Sequence, residues 1–203
     1  MNRRQEFFNK LSEDWDKKFS TPQLLSFLGD FVPKFGLRKG QRILDAGTGT
    51  GILIPFLLKE VGRTGSIVAI DYAQKMTDIC RDKYTDIPNL QIEIKNIEKL
   101  DFPSESFDAV VCFGMFPHIE NKQNALIQIK KVLKPNGSLI IAHALSSEEI
   151  KNHHRNAASV VSNDHLPKKE EMENMLTNAG FVKVQISDSQ GHYLCRSIKK
   201  GQN

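Results

Sequence analysis

Apolar residues change their spacing along this chain, and the changes mark its elements. Phe7, Phe8, Leu11, Trp15 and Phe19 fall on one helical face at steps of mostly three and four, which predicts an amphipathic helix over residues 5–19. A second helix is predicted over 22–32. Thr21 is its N-cap, and Pro22 takes the first helical position, where a missing amide proton costs least. Residues 33–40 form a turn-rich connector. From Gln41 onward, short apolar runs alternate with helical periods. Strands are expected at 43–44, 66–71, 90–94, 107–113 and 138–142, and helices at 52–61, 73–83 and 124–133. Pro135-Asn136-Gly137 signals a turn. Ser146-Ser147-Glu148-Glu149 fits a capping box that opens a short helix through His154, followed by a loop to Pro167. A helix over 168–179 stops at Gly180, and strands at 181–187 and 192–198 close the chain through residues 188–191.

Strands that alternate with helices imply parallel βαβ units, whereas the closing pair, joined by a short turn, has to be antiparallel. The expected architecture is therefore α/β, a mainly parallel sheet with one antiparallel strand near an edge. A length of 203 residues suits one domain over 1–203. Within it, residues 1–35 form an N-terminal helical cap or lid, and 144–167 an insertion on the acceptor side.

Composition narrows the function classes. Hydrophobic residues make up 39% and charged residues 26%, the balance of a soluble globular chain. The net charge of +4 is spread among both signs, and the short Lys/Arg clusters read as solvated faces rather than a nucleic-acid stripe. Cys80, Cys112 and Cys195 are too few and too scattered for a disulfide framework or a zinc ribbon. No apolar run approaches a membrane span of ~18 residues, and the N-terminus has no apolar leader core. The expectation is a cytoplasmic protein, monomer or homodimer, with no nucleic-acid or membrane partner.

Candidate chemistry begins at Asp45-Ala46-Gly47-Thr48-Gly49-Thr50-Gly51, between a strand and a helix. A helix N-terminus offers free amides and a positive dipole end, and glycine lets backbone touch a ligand. The Gly47, Gly49, Gly51 spacing differs from the dinucleotide fingerprint, which needs its third glycine one residue later. It also lacks the Gly-Lys-Ser/Thr ending of a phosphate loop. Asp71 ends the second strand twenty residues after Gly51, where a carboxylate can accept both hydroxyls of a ribose. In the third βα loop, Asn96 and Ile97 offer an amide and an aliphatic chain to an adenine. Asp108 reads as a strand-entry capping residue.

Taken in order, the glycine loop, Asp71, Phe107-Asp108-Ala109-Val110-Val111 and Val132-Leu133-Lys134-Pro135-Asn136-Gly137-Ser138-Leu139 resemble the motifs of class I S-adenosylmethionine-dependent methyltransferases. They are closest to the small-molecule type that includes the ubiquinone/menaquinone enzymes. The resemblance covers about residues 40–145, and the two closing strands extend it. It implies a Rossmann-like, doubly wound seven-stranded sheet of order 3-2-1-4-5-7-6 with strand 7 antiparallel. It also implies S-adenosyl-L-methionine as cofactor and S-adenosyl-L-homocysteine as product. Carried over by position, Gly47, Thr48, Gly49 and Gly51 line the cofactor, and Asp71 with Tyr72 meets the ribose. Asn96 and Ile97 flank adenine, Phe113 and Gly114 pass beneath the methionine part, and Asp45 lies near its amino group. Many relatives have aspartate where Asn96 stands.

The acceptor side is less determined. His118 follows the fourth strand, His143 follows the fifth, and His153-His154 lie on the next helix. His118, His143 and His154 are candidate catalytic bases, and the same rings serve equally as metal ligands or as hydrogen-bonding loop residues. No His/Cys/Asp spacing demands a metal, and none is expected. Glu149 either orients His153 or completes the cap. Trp15, Phe116, His118 and His143 are candidate acceptor contacts. The Phe7-to-Phe19 stripe reads as a helix packed on the domain, with Trp15-Asp16 as the contact point if it also forms a lid. After the fourth strand, Phe113-Gly114-Met115-Phe116-Pro117 lacks the Asn/Asp-Pro-Pro-Tyr/Phe signature of enzymes that methylate planar nitrogens. The expected function is methyl transfer to a small-molecule acceptor. The alternatives are a catalytically inactive binding protein and an RNA or protein methyltransferase.

Overall fold

The computed structural model describes residues 3–157 and 160–201. Met1, Asn2, Ala158, Ser159, Gln202 and Asn203 lie outside them, so the reading of the first two residues and of part of 144–167 is not addressed. The chain packs as two compact units, Met1–Asn96 and Ile97–Asn203. Seven strands form one sheet in the order β3-β2-β1-β4-β5-β7-β6, as expected from the resemblance.

The first unit opens with α1 (Arg3–Phe19) and α2 (Pro22–Phe31). Thr21 Oγ1 accepts from the Leu24 amide at 3.2 Å, the N-cap read from sequence. A short 3-10 turn, Val32–Phe35, ends on Gly36. β1 (Arg42–Ala46), β2 (Ser66–Asp71) and β3 (Leu90–Ile94) pair in parallel, from Arg42 opposite Ser66 to Asp71 opposite Ile94. α3 (Ile54–Val61) and α4 (Gln74–Lys83) connect them. Ile43, Leu44, Ile67, Ile70 and Leu57 are essentially solvent-free, so β1 and β2 read as continuous apolar runs, the mark of a sheet covered on both faces. α3 begins two residues later than expected, because the glycine loop and a turn absorb Ile52 and Leu53.

The second unit holds β4 (Phe107–Phe113), α5 (Lys122–Val132), β5 (Leu133–His143), α6 (Ser147–Arg155), α7 (Lys169–Asn178), β6 (Phe181–Ser189) and β7 (His192–Lys199). β4 and β5 are parallel, and β7 lies antiparallel between β5 and β6. The turn expected at Pro135–Gly137 is present as a bulge within β5. Leu133 pairs with Phe107 and Ser138 with Ala109, so four residues sit opposite Asp108 alone, and Asn136 takes φ 61°. A Cβ on Gly137 would lie 2.9 Å from the Lys134 carbonyl, which is why glycine stands there. Asp108 accepts from Lys134 Nζ at 2.8 Å, across the bulge. The capping box is complete. Glu149 Oε2 accepts from the Ser146 amide and hydroxyl and also from the Gly191 amide, each at 2.8 Å, so Glu149 fastens α6 to the β6–β7 turn instead of orienting His153. Among the described residues, no helix is long and apolar enough to cross a membrane.

Candidate functional site

The end of β1 turns sharply because three glycines take left-handed backbone: Gly47 at φ 73°, Gly49 at 57° and Gly51 at 88°. The amides of Gly47 and Thr48 both donate to the Ile70 carbonyl, at 2.8 and 3.0 Å, tying the loop to β2. Asp71 then takes two more amides: Gly49 N donates to Oδ2 at 2.9 Å and Ala73 N to Oδ1 at 2.8 Å. Beyond the ribose role expected of it from the sequence, Asp71 thereby fixes the loop and the start of α4.

Beneath this loop is a buried polar pair. Asp45 is 1% exposed and Thr48 6%, and neither Asp45 Oδ2 nor Thr48 Oγ1 has a hydrogen-bond partner. Burial pushes the Asp45 carboxyl up to about 7. The nearby Thr48 hydroxyl pulls it back, without reaching hydrogen-bond geometry, and the Asp71 charge adds to the rise.

α1 covers the loop. Trp15 Nε1 would lie 3.8 Å from a Cβ on Gly49, and its ring packs against Phe19, tilted by 45° with centroids 4.4 Å apart. Asp16 accepts from Thr50 Oγ1 at 2.6 Å and from Lys83 Nζ at 2.8 Å, and Lys83 Nζ also reaches the Thr50 carbonyl at 2.9 Å. Gln5 Nε2 donates to the Tyr72 carbonyl at 2.6 Å, and Asn9 Oδ1 accepts from the Lys75 amide in the first turn of α4. The Trp15-Asp16 contact point thus falls on the glycine loop. Burial works to raise the Asp16 carboxyl, but the Lys83 and Thr50 hydrogen bonds and the Lys83 charge outweigh it, so it lies below the usual carboxylate value. Asp16→Ala is expected to cost about 1 kcal/mol, since the pair is partly solvated. Thermal melts should show a fall of roughly 2–4 °C; an unchanged melt would mean that the latch contributes nothing.

In the second unit, a histidine cluster gathers around one acid. β4 runs into a 3-10 turn, Phe116–His118, that carries His118. His118 Nδ1 lies 2.7 Å from Asp164 Oδ2, and the Asp164 side chain is 5% exposed. His154, on the inward face of α6 and 6% exposed, places Nδ1 2.7 Å from the Asp164 carbonyl. A carbonyl only accepts, so His154 carries its proton on Nδ1. The His118 and His154 rings are 4.8 Å apart. His143 ends β5 opposite Tyr193, with its Nδ1 enclosed and unpartnered. Burial, and then the rings of His118, His154 and His153, push its pKa down to about 3, so it is neutral at any working pH. The residue keeps partial exposure at its edge while Nδ1 is sealed, and that sealed atom fixes the direction of the shift. His153 is exposed, 5.7 Å from His154.

The remaining sequence candidates fall as follows. Tyr72 is half-buried, 6.3 Å from Phe8, and Asn96 is exposed. Ile97 is 7% exposed, and Phe116 only 1%. Phe113 lies 6.3 Å from the His143 ring. A Cβ on Gly114, which has φ 68°, would meet open space. Gly51 differs from Gly49. Its open side is filled by Tyr84, Cys80 and Ile54, and Tyr84 donates to its carbonyl at 2.9 Å. Among the described residues, no group of three or more His, Cys, Asp or Glu could hold a metal. Sequence reasoning missed Asp164, Lys83 and Tyr84. Each acts across a long separation, and only Asp164, in a loop between two histidine-bearing segments, left a faint signal.

A methyltransferase-domain family matches residues 44–141. Ubiquinone/menaquinone biosynthesis C-methyltransferase UbiE of Hydrogenovibrio crunogenus is 39% identical over 110 residues, which cover 52% of this chain and 43% of that protein. The chain therefore spans under half the length of the curated relatives it matches. Among solved structures, a SAM dependent methyltransferase from Aquifex aeolicus superposes with a TM-score of 0.74 at 22% identity, covering 96% of this chain and 98% of that one. A putative S-adenosyl-L-methionine-dependent methyltransferase from Methanococcus maripaludis gives 0.74 at 20% identity, covering 98% and 94%. The solved structures share the fold, and the family model and the matched relatives locate the similarity to methyltransferases in the stretch around residues 44–141.

Proposed function

We propose that the protein binds S-adenosyl-L-methionine and transfers its methyl group to a small-molecule acceptor, releasing S-adenosyl-L-homocysteine. The observation that carries this reading is the orphaned pair Asp45 Oδ2 and Thr48 Oγ1 beneath a loop of left-handed glycines. A buried carboxylate without a donor is costly, and a cationic amine is the donor it lacks. The methionine end of the cofactor carries such an amine, so the residues fit the group. Asp45, Gly47, Thr48 and Gly49 would hold it, and Asp71 with Tyr72 would meet its ribose. For Asn96, Ile97, Phe113 and Gly114 the cofactor role rests on the resemblance alone. The bound cofactor supplies an electrophilic methyl on a sulfonium. The protein contributes orientation and water exclusion, with α1 as cover.

A small acceptor agrees with the interspersed charges. The matched relatives are named for carbon methylation in quinone biosynthesis, which makes a quinol-like aromatic the first acceptor to try. Trp15, Phe116, His118 and His143 are the proposed contacts. We place the protein in the cytoplasm as monomer or homodimer, without nucleic-acid or membrane partners. Titration calorimetry tests the cofactor assignment. Both S-adenosylmethionine and S-adenosylhomocysteine are expected to bind with micromolar dissociation constants, about −8 kcal/mol. Heat from neither would refute it.

A further inference from the structure

We propose that the recess between α2 and α3, with its basic rim, is a docking site for an acidic segment of a partner protein that presents one large apolar side chain. The site is separate from the cofactor loop and does not depend on methyl transfer.

Gly29 and Pro33 on one side and Pro55 and Phe56 on the other enclose an apolar recess of about 250 Å3, with Lys59 and Glu60 as its charged lining. That volume falls below the ~300–1,000 Å3 of a small-molecule pocket and suits one anchoring side chain. Gly29 shows that the space is kept open. It sits inside α2, where glycine is unfavourable relative to alanine. Its backbone is not left-handed, and the nearest atom to an added Cβ is Phe56 Cε1 at 4.0 Å, an ordinary van der Waals distance. Neither conformation nor packing asks for glycine here; an open recess does.

The rim is positive. Residues 33–42 carry Lys34, Arg38, Lys39 and Arg42 and no acid, and Lys59 and Arg63 flank the end of α3 with Glu60 as the acid between them. All six cations are exposed. The two stretches are tied together. The Gly40 amide donates to the Val61 carbonyl at 2.9 Å, and Lys39 Nζ donates to the Lys59 carbonyl. One cation is enough to meet the negative end of α3, and Lys39 does so. Among the described residues, no carboxylate pairs with the side chain of Arg38, Lys59 or Arg63. An acidic peptide fits this surface better than other polyanions do. A lipid surface is met by protruding apolar side chains rather than by a recess, and Glu60 opposes a run of phosphates while it can accept from a peptide amide. Arg42 begins β1 and Ala46 ends it at the glycine loop, so about 13 Å of strand separates the two ends.

Fluorescence anisotropy on the full chain tests this with short labelled peptides, acidic throughout except for a central phenylalanine or alanine. The phenylalanine peptide is expected to bind with a Kd on the order of 10–100 µM at low salt and more weakly as salt rises. The alanine peptide should bind about tenfold more weakly. Gly29→Leu should fill the recess, melt at or above wild type because leucine is the better helix former, and lose about tenfold or more in peptide affinity. Gly29→Ala, which adds only the Cβ that has room, should lose less. Arg38→Glu combined with Lys59→Glu and Arg63→Glu should abolish binding and melt within about 5 °C of wild type, since all three side chains are exposed. Equal binding of the two peptides, or undiminished binding by both Gly29 variants, overturns the recess. Binding unchanged by the charge reversals overturns the rim. Tighter binding of a single-stranded oligouridylate, or of phosphatidylglycerol vesicles, overturns the choice of partner. Absence of peptide binding overturns the site.

Discussion

Asp45→Asn is expected to raise the thermal stability of the ligand-free protein and to weaken S-adenosylmethionine at the same time. The carboxyl is fully enclosed, and its pKa rises from the usual 3.8 to about 7, chiefly through burial. Between these values the folded state holds a proton that the unfolded chain has released. Stability therefore falls as pH rises from about 4 to about 7, and stays lowered above that. At 1.36 kcal/mol per pH unit, the ionised carboxylate costs on the order of 4 kcal/mol at pH 8. Asparagine removes the charge but keeps a polar group that also needs partners, so the net gain should be nearer 1–3 kcal/mol. For a chain of this size that is a melting point higher by roughly 3–10 °C. At pH 5 most of the advantage should vanish, because the wild-type group is then largely protonated. Binding should move the other way. Losing one charge-assisted hydrogen bond to a buried amine weakens the cofactor about 10- to 100-fold. Melts at pH 5 and pH 8 beside calorimetry decide the matter. A lower melting point for the variant at pH 8 would mean that Asp45 is satisfied in the free protein and is not waiting for a cation.

Such trade-offs explain why the cofactor loop was legible in the sequence. A loop with a buried acid and three glycines in left-handed backbone has to write those needs into residue identity. Asp45, Gly47, Gly49, Gly51 and Asp71 could therefore be read directly, and so could the strands. β1, β2 and β4 are covered on both faces and consist of near-continuous apolar residues bounded by turn signals. The bulge in β5 was read as a turn for a sound local reason. Asn136 does adopt left-handed backbone, but pairing resumes on both sides of it, which local signals do not record.

The histidine cluster was legible only by halves. The positions of His118, His143 and His154 after successive strands and on the next helix follow from topology, so their convergence could be expected. Asp164 could not be singled out. It is one of 24 acidic residues, and it reaches His118 across 46 positions through a loop with no periodic signal. Where α1 packs is hidden in the sequence for the same reason. Its Phe and Trp stripe shows that it packs, but Asp16 on Thr50, 34 positions away, is what shows that it packs on the glycine loop. Side chains that act across long separations carry their meaning in the fold, and composition does not reveal it.

The glycines themselves separate binding from packing, and substitution by alanine is expected to tell them apart. At Gly51, φ is 88°, and an added Cβ would lie 2.5 Å from Tyr84 Cε2, 2.8 Å from Cys80 Sγ and 2.9 Å from Ile54 Cδ1. None of the three yields cheaply. Tyr84 is held by its hydrogen bond to the Gly51 carbonyl, Cys80 is fully buried, and Ile54 is fixed in the first turn of α3. Backbone strain of about 1–2 kcal/mol adds to overpacking of about 1–3 kcal/mol. Gly51→Ala should therefore lose roughly 2–5 kcal/mol and melt about 5–15 °C lower. At Gly49, φ is 57° and the nearest atom to a new Cβ is Trp15 Nε1 at 3.8 Å, so only the backbone strain applies, about 1–2 kcal/mol. Gly49→Ala should melt within about 6 °C of wild type, yet bind S-adenosylmethionine at least tenfold more weakly, because the methyl group would occupy the space between loop and α1 that we assign to the cofactor. Equal melting points for the two variants would show that Tyr84 and Cys80 give way. Undiminished binding by Gly49→Ala would show that the cofactor does not approach the loop there, and that α1 covers a surface the ligand never uses.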